Sequence, residues 1–270
     1  MAKIRKKNPA VLLKGAIALA GRLEQLASEK RLRRRLLVAG FGFLVRNRRA
    51  AQAIDQLGVR FAYESGILLR TMMEIRINYA WIRLTQTHSR SVRFFDFWSL
   101  ERLALLEKSA TFFRPADLVQ KLEALEVERR KVRHLFRHRD REGKMRWDRS
   151  WAQVSSVEAR LREVEGAKAQ GSPDLFMYGL YVLLSSAVHG SPSSLNQVLG
   201  IANGRLSAKS QPESDPSRHH FGALLVLLWT IETFATDAKL KRALQSDLRR
   251  LKAEIVGLAA YRRAARQPAA

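Results

Sequence analysis

A proline-free stretch with helical spacing, residues 48–84, constrains the fold more than any other feature of this sequence. Apolar side chains recur there every three or four residues, at Ile54, Leu57, Phe61, Leu68, Met72, Ile75, Tyr79 and Ile82. This spacing predicts one long, mostly buried helix in spite of Gly58 and Gly66. Since no run of alternating β-branched residues occurs in the chain, we expect no sheet. The sequence therefore predicts an all-α helical bundle with a long central spine helix and basic terminal extensions.

Capping signals place further helices on both sides of the spine. Asn8 followed by Pro9 suits a helix start, and Ser172-Pro173-Asp174 announces a helix that Gly190 closes. We expect a turn at 88–91 and a surface loop at 203–220. The predicted helices are 9 to about 28, 92–113, 115 into the basic stretch at 129, 154–165, 173–188, 221–235 and 239–266.

Positive charge is concentrated in three stretches of a chain whose net charge is +24. Residues 1–49 carry +12, and 129–149 and 239–270 carry +7 each, while the rest of the chain is close to neutral. Such stretches attract polyanions, either nucleic acid phosphates or anionic lipid headgroups. The alternative is that they are solvated faces and tails that bind nothing specific.

The stretch 129–149 suits backbone binding of single-stranded nucleic acid, because Phe136 and Trp147 lie among its basic residues and could stack on bases. Its alternative role is an exposed linker between a helix and a loop. The predicted nucleic-acid-binding residues are Arg129, Arg130, Lys131, Arg133, Arg137, Arg139, Arg141, Lys144 and Arg146.

Two polar stripes interrupt otherwise apolar helices. Arg70, Glu74 and Asn78 lie four residues apart, and so do Tyr181, Ser185 and His189. Each trio therefore occupies one helix face, and buried polar groups need partners, so we expect the two stripes to meet. They would form either a catalytic pocket, with His189 as acid or base, or a polar network that only fixes helix register.

The segment LLRTMMEIRINYAWI, the aromatic return helix SVRFFDFW and the later YGLYVLLSSAVHG resemble the bacterial family catalogued as domain of unknown function 5677. The resemblance covers roughly residues 50–240 and implies a helical fold without an established activity. It also implies that the shared site residues are Arg70, Glu74, Tyr181, Ser185 and His189.

A shorter motif, Arg133 to His138, resembles the Arg-polar-x-x-x-His pattern of the HEPN ribonucleases, which are common in toxin and phage-defence systems. The resemblance implies that His138 and Arg133 act on the ribose 2′-hydroxyl and the scissile phosphate without a metal. Arg129 and His134 have the same spacing, so a segment this rich in arginine and histidine also produces the motif by chance.

Other classes of site are disfavoured by the sequence. Cysteine is absent, and neither a metal-ligand spacing nor a phosphate-binding glycine loop occurs, so we expect no metal and no cofactor. The apolar runs are shorter than the roughly 20 residues of a spanning helix, and we expect a cytoplasmic protein. We divide the chain into a basic helical arm (1–49), a helical bundle domain (50–240) and a basic amphipathic C-terminal helix and tail (241–270). The bundle domain contains a basic linker at 129–149.

Nucleic-acid-associated binding in a bacterial defence or regulatory system is the function that we predict, and RNA or another single strand is the expected partner. A metal-independent ribonuclease or other hydrolase that uses His138 or His189 is the first alternative. The second is a peripheral membrane protein on anionic lipid, anchored by Ala10–Ala20 and Leu251–Leu258. A protein partner is not identified by any motif.

Overall fold

The computed structural model describes residues 8–58, 60–110, 116–140, 142–148, 151–152, 156–166, 181, 199–202, 205–208 and 217–264. Within these ranges the helices are α1 (Pro9–Ser28), α2 (Arg35–Leu57), α3 (Ala62–Leu84), α4 (Thr87–Ala110), α5 (Ala116–Phe136), α6 (Val157–Gly166), α7 (Ser217–Asp237) and α8 (Gln245–Ala264). A short 3₁₀ helix, Lys241–Leu244, precedes α8. The all-α prediction is confirmed. None of the described helices is both long and apolar enough to cross a membrane.

The predicted start of the first helix is confirmed. The side chain of Asn8 accepts a hydrogen bond of 3.1 Å from the backbone N–H of Ala10, and Pro9 takes the first helical position. The predicted helix 173–188 lies outside the described residues except for Tyr181, which is helical.

The prediction of one spine helix over 48–84 is wrong, because the chain forms two helices there. α2 ends at Leu57, and Gly58 has a φ of 56°, a left-handed conformation that glycine adopts without steric cost. α3 then begins at Ala62. The following turn also lies earlier than predicted, at Thr85 and Gln86, because α4 already begins at Thr87.

The expectation of no sheet is wrong in detail, since the all-α chain carries two small antiparallel hairpins. β1 (Arg137–Arg139) pairs with β2 (Met145–Trp147), and β3 (Leu199–Ala202) pairs with β4 (Arg205–Ala208). Strands of three or four residues are too short to show an alternating apolar pattern. The predicted loop at 203–220 is likewise wrong where β4 and the start of α7 occupy it.

The chain divides into two compact units, residues 1–79 with 168–270, and residues 80–167. In the first unit α1 and α2 pack on α7, which is buried along most of its length. The Asn47 side chain donates a 3.0 Å hydrogen bond to the Thr230 hydroxyl inside this core.

One face of α1 is buried, although the helix belongs to the basic N-terminal segment. Leu12, Leu13 and Ala16 are buried, so this helix of the basic arm is part of the core of the first unit. The same burial removes from the surface most of the apolar side chains that a membrane anchor at 10–20 would use. The predicted domain boundaries themselves stay a prediction.

The second unit has an aromatic core formed by the end of α3, by α4, by the end of α5 and by Trp151. The Trp151 ring lies edge-on to the rings of Trp81, at 5.4 Å, and Phe94, at 5.0 Å. Phe97 of α4 packs against Phe136 at the end of α5, with ring centroids 5.3 Å apart. These contacts hold the end of α5, and with it the basic hairpin β1–β2, in place.

Candidate functional site

The described residues of the basic segment 129–149 form the last two turns of α5 followed by the β1–β2 hairpin. Asp140 shapes the hairpin turn, because its carboxylate accepts hydrogen bonds from the backbone N–H of Glu142, at 3.0 Å, and of Lys144, at 2.9 Å. Arg146 donates to the same carboxylate, and this bond, aided by the two backbone bonds, holds the pKa of Asp140 below its usual range. Gly143 completes the turn with a φ of 76°.

A groove of about 350 Å³ lies beside this hairpin. Its walls are Arg130, Arg133 and His134 of α5 together with Arg137 and Met145 of the two strands. The three α5 residues are spaced i, i+3 and i+4, so they share one face of the helix. No acidic side chain of the described residues lines the groove, so its cationic groups are not neutralised locally.

The predicted nucleic-acid-binding residues fall into two groups according to their partners. Arg129 pairs with Glu126 at 3.0 Å, Lys144 pairs with Glu142 at 3.0 Å, and Arg146 pairs with Asp140. In the part of the chain that the structure describes, no carboxylate pairs with Arg130, Lys131, Arg133, Arg137 or Arg139. Arg141 lies outside the described residues.

The two aromatic residues of this segment have different surroundings. Phe136 is 0% exposed, so the prediction that it stacks on a base is wrong; it completes the core of the unit instead. Trp147 is half-buried, and the guanidinium groups of Arg129 and Arg137 lie 5.0 Å and 5.9 Å from its ring centroid. Trp147 is therefore the aromatic residue of the pair that a ligand can reach.

His138 lies on the other face of the hairpin, where it is paired in register with Arg146. Its Nδ1 is 2.7 Å from Asp148 Oδ1, and its side chain is 54% exposed. Because a carboxylate only accepts hydrogen bonds, Nδ1 carries the proton of this contact, which leaves Nε2 as the basic nitrogen of the neutral ring.

Asp148 is itself held by the buried Arg93 of α4. Arg93 Nη2 lies 2.6 Å from Asp148 Oδ2, and its guanidinium group also donates to the backbone carbonyls of Trp151, at 3.1 Å, and Leu135. His138, Asp148 and Arg93 thus form a chain of polar contacts from the surface into the core.

Arg133 and His138, the HEPN-like pair, are not brought together by these contacts. Arg133 lines the groove in α5, whereas His138 belongs to β1, contacts Asp148 and does not line the groove. The helix ends at Phe136, between the two residues. The HEPN resemblance is therefore unconfirmed.

The polar stripe of α3 is partly assembled in the first unit. Arg70 Nη1 lies 3.3 Å from Glu74 Oε2, and Arg70 Nη2 donates a 3.1 Å hydrogen bond to the Tyr181 hydroxyl. The Arg70 guanidinium group also lies over the Tyr181 ring at 5.1 Å. Ser185 and His189 lie outside the described residues, so the catalytic role of the whole stripe stays a prediction.

Sequence reasoning missed Arg93, Asp148 and Glu101, which the structure places near the hairpin. Arg93 had a signal, since it is a charged residue inside the aromatic segment SVRFFDFW. Its partner Asp148 had none, because it is separated from Arg93 by 55 positions. Among the described residues, no group of three or more His, Asp or Glu could hold a metal ion.

Comparison with known proteins adds one match. The model described as "Family of unknown function (DUF5677)" matches residues 37–205, which is more than half of the chain. Neither the curated proteins nor the solved structures contain a significant match.

Proposed function

Since this chain belongs to the DUF5677 family of unknown function, we propose its role from the geometry of the site: it binds the phosphate backbone of single-stranded nucleic acid. The backbone lies in the groove of Arg130, Arg133, His134 and Arg137, and RNA is the form that we expect. The observation that supports this proposal is a groove lined by three arginines and a histidine and by no acidic side chain of the described residues.

Phosphates supply the negative charge that this groove lacks. Arg130 and Arg133 have no carboxylate partner within the described ranges, and the Nε of Arg137 is buried without a hydrogen-bond partner there. A phosphate that binds the accessible guanidinium groups of the groove forms charge-assisted hydrogen bonds, which are stronger than those between neutral groups. Each phosphate contact also releases condensed counterions, which makes binding weaken as salt rises.

Basic residues that already have a carboxylate partner should contribute less to the binding of phosphates. A phosphate that binds Arg129, Lys144 or Arg146 has to compete with Glu126, Glu142 or Asp140 for the same guanidinium or ammonium group. We therefore expect the basic residues of the groove to contribute more to nucleic acid binding than the other basic residues of 129–149.

A charge-matched pair of double variants tests this ranking. We compare Arg130→Gln/Arg133→Gln with Lys144→Gln/Arg162→Gln, in which both residues have a carboxylate partner in the structure. Binding of labelled single-stranded RNA is measured over a salt series. The groove variant should weaken binding and reduce the log–log salt slope by about 1.4, because about one phosphate contact is lost per residue and each contributes about 0.7 on a single strand.

The control variant removes the same charge and should change the slope by clearly less. Equal losses in the two variants would mean that net charge alone attracts the nucleic acid, and the groove would not be the site. If the wild-type protein does not bind RNA or duplex DNA at low salt, the proposal is wrong altogether.

Cleavage of the bound strand is the second candidate function, and the contact of His138 with Asp148 favours it. A histidine whose Nδ1–H is held by a carboxylate can accept a proton at Nε2, as a general base for attack by a ribose 2′-hydroxyl requires. Samples from the binding series are run on a denaturing gel. Products that disappear in His138→Ala but persist in His134→Ala would support cleavage at His138, whereas intact RNA throughout would leave the protein a binding module.

A further inference from the structure

A second pocket, of about 420 Å³, lies in the same unit and is lined in part by the hairpin. Phe97 and Leu103 of α4 supply apolar walls, and both are at most 7% exposed. Trp147 of β2 and Arg129 of α5 also line the pocket. Aromatic rings and guanidinium planes are the surfaces on which nucleic acid bases stack.

Glu101 is the unusual residue of this pocket. Its carboxylate lines the cavity but has no hydrogen bond or ion pair with any described residue, in a chain where basic residues outnumber acidic ones by nearly two to one. Glu101 is an exposed residue, but partial desolvation in the pocket raises the pKa of its carboxyl group. The other two carboxylates of the pocket are occupied, since Glu107 lies 3.9 Å from Arg129 and Asp148 is held by Arg93. Glu101 is therefore the acceptor that remains for a ligand.

The pocket and the groove adjoin each other at one cross-strand pair. Arg137 lines the groove, Trp147 lines the pocket, and the two residues face each other in the register of β1 and β2. The Arg137 guanidinium group lies 5.9 Å from the centroid of the Trp147 ring. A strand whose phosphates lie in the groove can thus turn a base past Arg137 towards Trp147.

We propose that this pocket binds a guanine base of the single strand whose backbone occupies the groove, with the Glu101 carboxylate accepting hydrogen bonds from the guanine N1–H and N2–H groups. A carboxylate has two acceptor oxygens and no donor. Guanine presents two neighbouring donors on its Watson–Crick edge, whereas adenine, cytosine and uracil each present a donor beside an acceptor. The inference rests on the proposed function, to which it adds a base preference.

The test compares two RNA strands of equal length, oligo-U and oligo-U with one central guanosine. A good two-point contact to a base corresponds to a preference of about 5- to 150-fold, so the guanosine strand should bind the wild-type protein tighter by a factor in this range. Glu101→Gln should abolish most of that preference, because the amide presents a donor to one of the two guanine donors. Its affinity for oligo-U should change only as much as loss of one negative charge outside the pocket changes it.

Glu123→Gln is the matched control, because Glu123 is an exposed glutamate of α5 that does not line the pocket. It removes one negative charge, as Glu101→Gln does, and should keep the full preference for the guanosine strand. Equal affinity of the wild-type protein for both strands would overturn the guanine pocket while leaving backbone binding intact. Absence of binding to either strand at low salt would overturn both proposals. Far-UV circular dichroism of Glu101→Gln confirms that the variant is folded.

Discussion

Gly40 of α2 should tolerate no side chain, and Gly42 in the same helix provides the control. A Cβ atom on Gly40 would overlap the hydroxyl of Tyr79 and lie 2.9 Å from Phe234 Cδ2. A Cβ atom on Gly42 would meet nothing within 4 Å. Both substitutions exchange glycine for alanine inside one helix, so their helix-propensity gains are alike and their difference isolates the overlap.

The expected loss of stability in Gly40→Ala follows from the packing and the hydrogen bond of Tyr79. Its ring is fully buried, and its hydroxyl donates a 2.7 Å hydrogen bond to Asp237 Oδ2. Forcing a methyl group into such packing costs about 1–3 kcal/mol. Displacing the hydroxyl from a charged acceptor costs a further 1.5–3 kcal/mol or so, while alanine regains about 1 kcal/mol of helix propensity. Gly40→Ala should therefore lower the free energy of unfolding by about 1.5–5 kcal/mol.

Urea unfolding, followed by far-UV circular dichroism, measures both variants. Gly42→Ala should match or slightly exceed the wild type in stability. Adding Tyr79→Phe to Gly40→Ala should restore part of the lost stability, because it removes the oxygen that the methyl group meets, although alone it should destabilise by breaking the bond to Asp237. If Gly40→Ala and Gly42→Ala unfold at the same urea concentration, the packing of α2 on Tyr79 described above is wrong.

Three further predictions concern single side chains. Arg93→Met should lower the free energy of unfolding by about 3–5 kcal/mol in urea titrations, because it leaves the Asp148 carboxylate without its buried partner; unchanged stability would show that this pair is not formed. Asn8→Ala should cost about 1 kcal/mol through loss of the α1 cap, again measured in urea. Glu101→Gln should raise the free energy of unfolding at pH 7 by no more than about 0.5 kcal/mol, because partial desolvation disfavours the charged carboxylate. A slightly higher melting temperature would show this gain. Since the folded-state pKa is raised, wild-type stability falls as pH rises through it, so the advantage of the variant should vanish below the carboxyl's ordinary value of 4.5.

Most of the helices, and the start of α1, were predictable because their signals are local. The cap at Asn8 and the apolar spacing of α1, α3 and α7 depend on residues within one or two turns of each other. The break at Gly58 was not predictable from spacing alone, since glycine is tolerated inside helices as well as at their ends. The concentration of charge at 129–149 is likewise a property of the sequence itself.

The tertiary structure determines which of those charges remain without a carboxylate partner. The hairpin turn brings Asp140 to Arg146, and helix packing brings Glu107 near Arg129, so these cations are already neutralised. The contact between Arg70 and Tyr181 was predicted, because stripes of equal spacing that need partners tend to meet, yet its partners span 111 positions. The Arg93–Asp148–His138 chain had no such pattern and exists only because α4 packs on the end of α5. By itself the sequence determined an all-α chain with concentrated stretches of basic residues, because helical periodicity, caps and charge are local properties. Only the tertiary structure decided which basic residues line a groove, because ion pairs depend on distances that local signals do not encode.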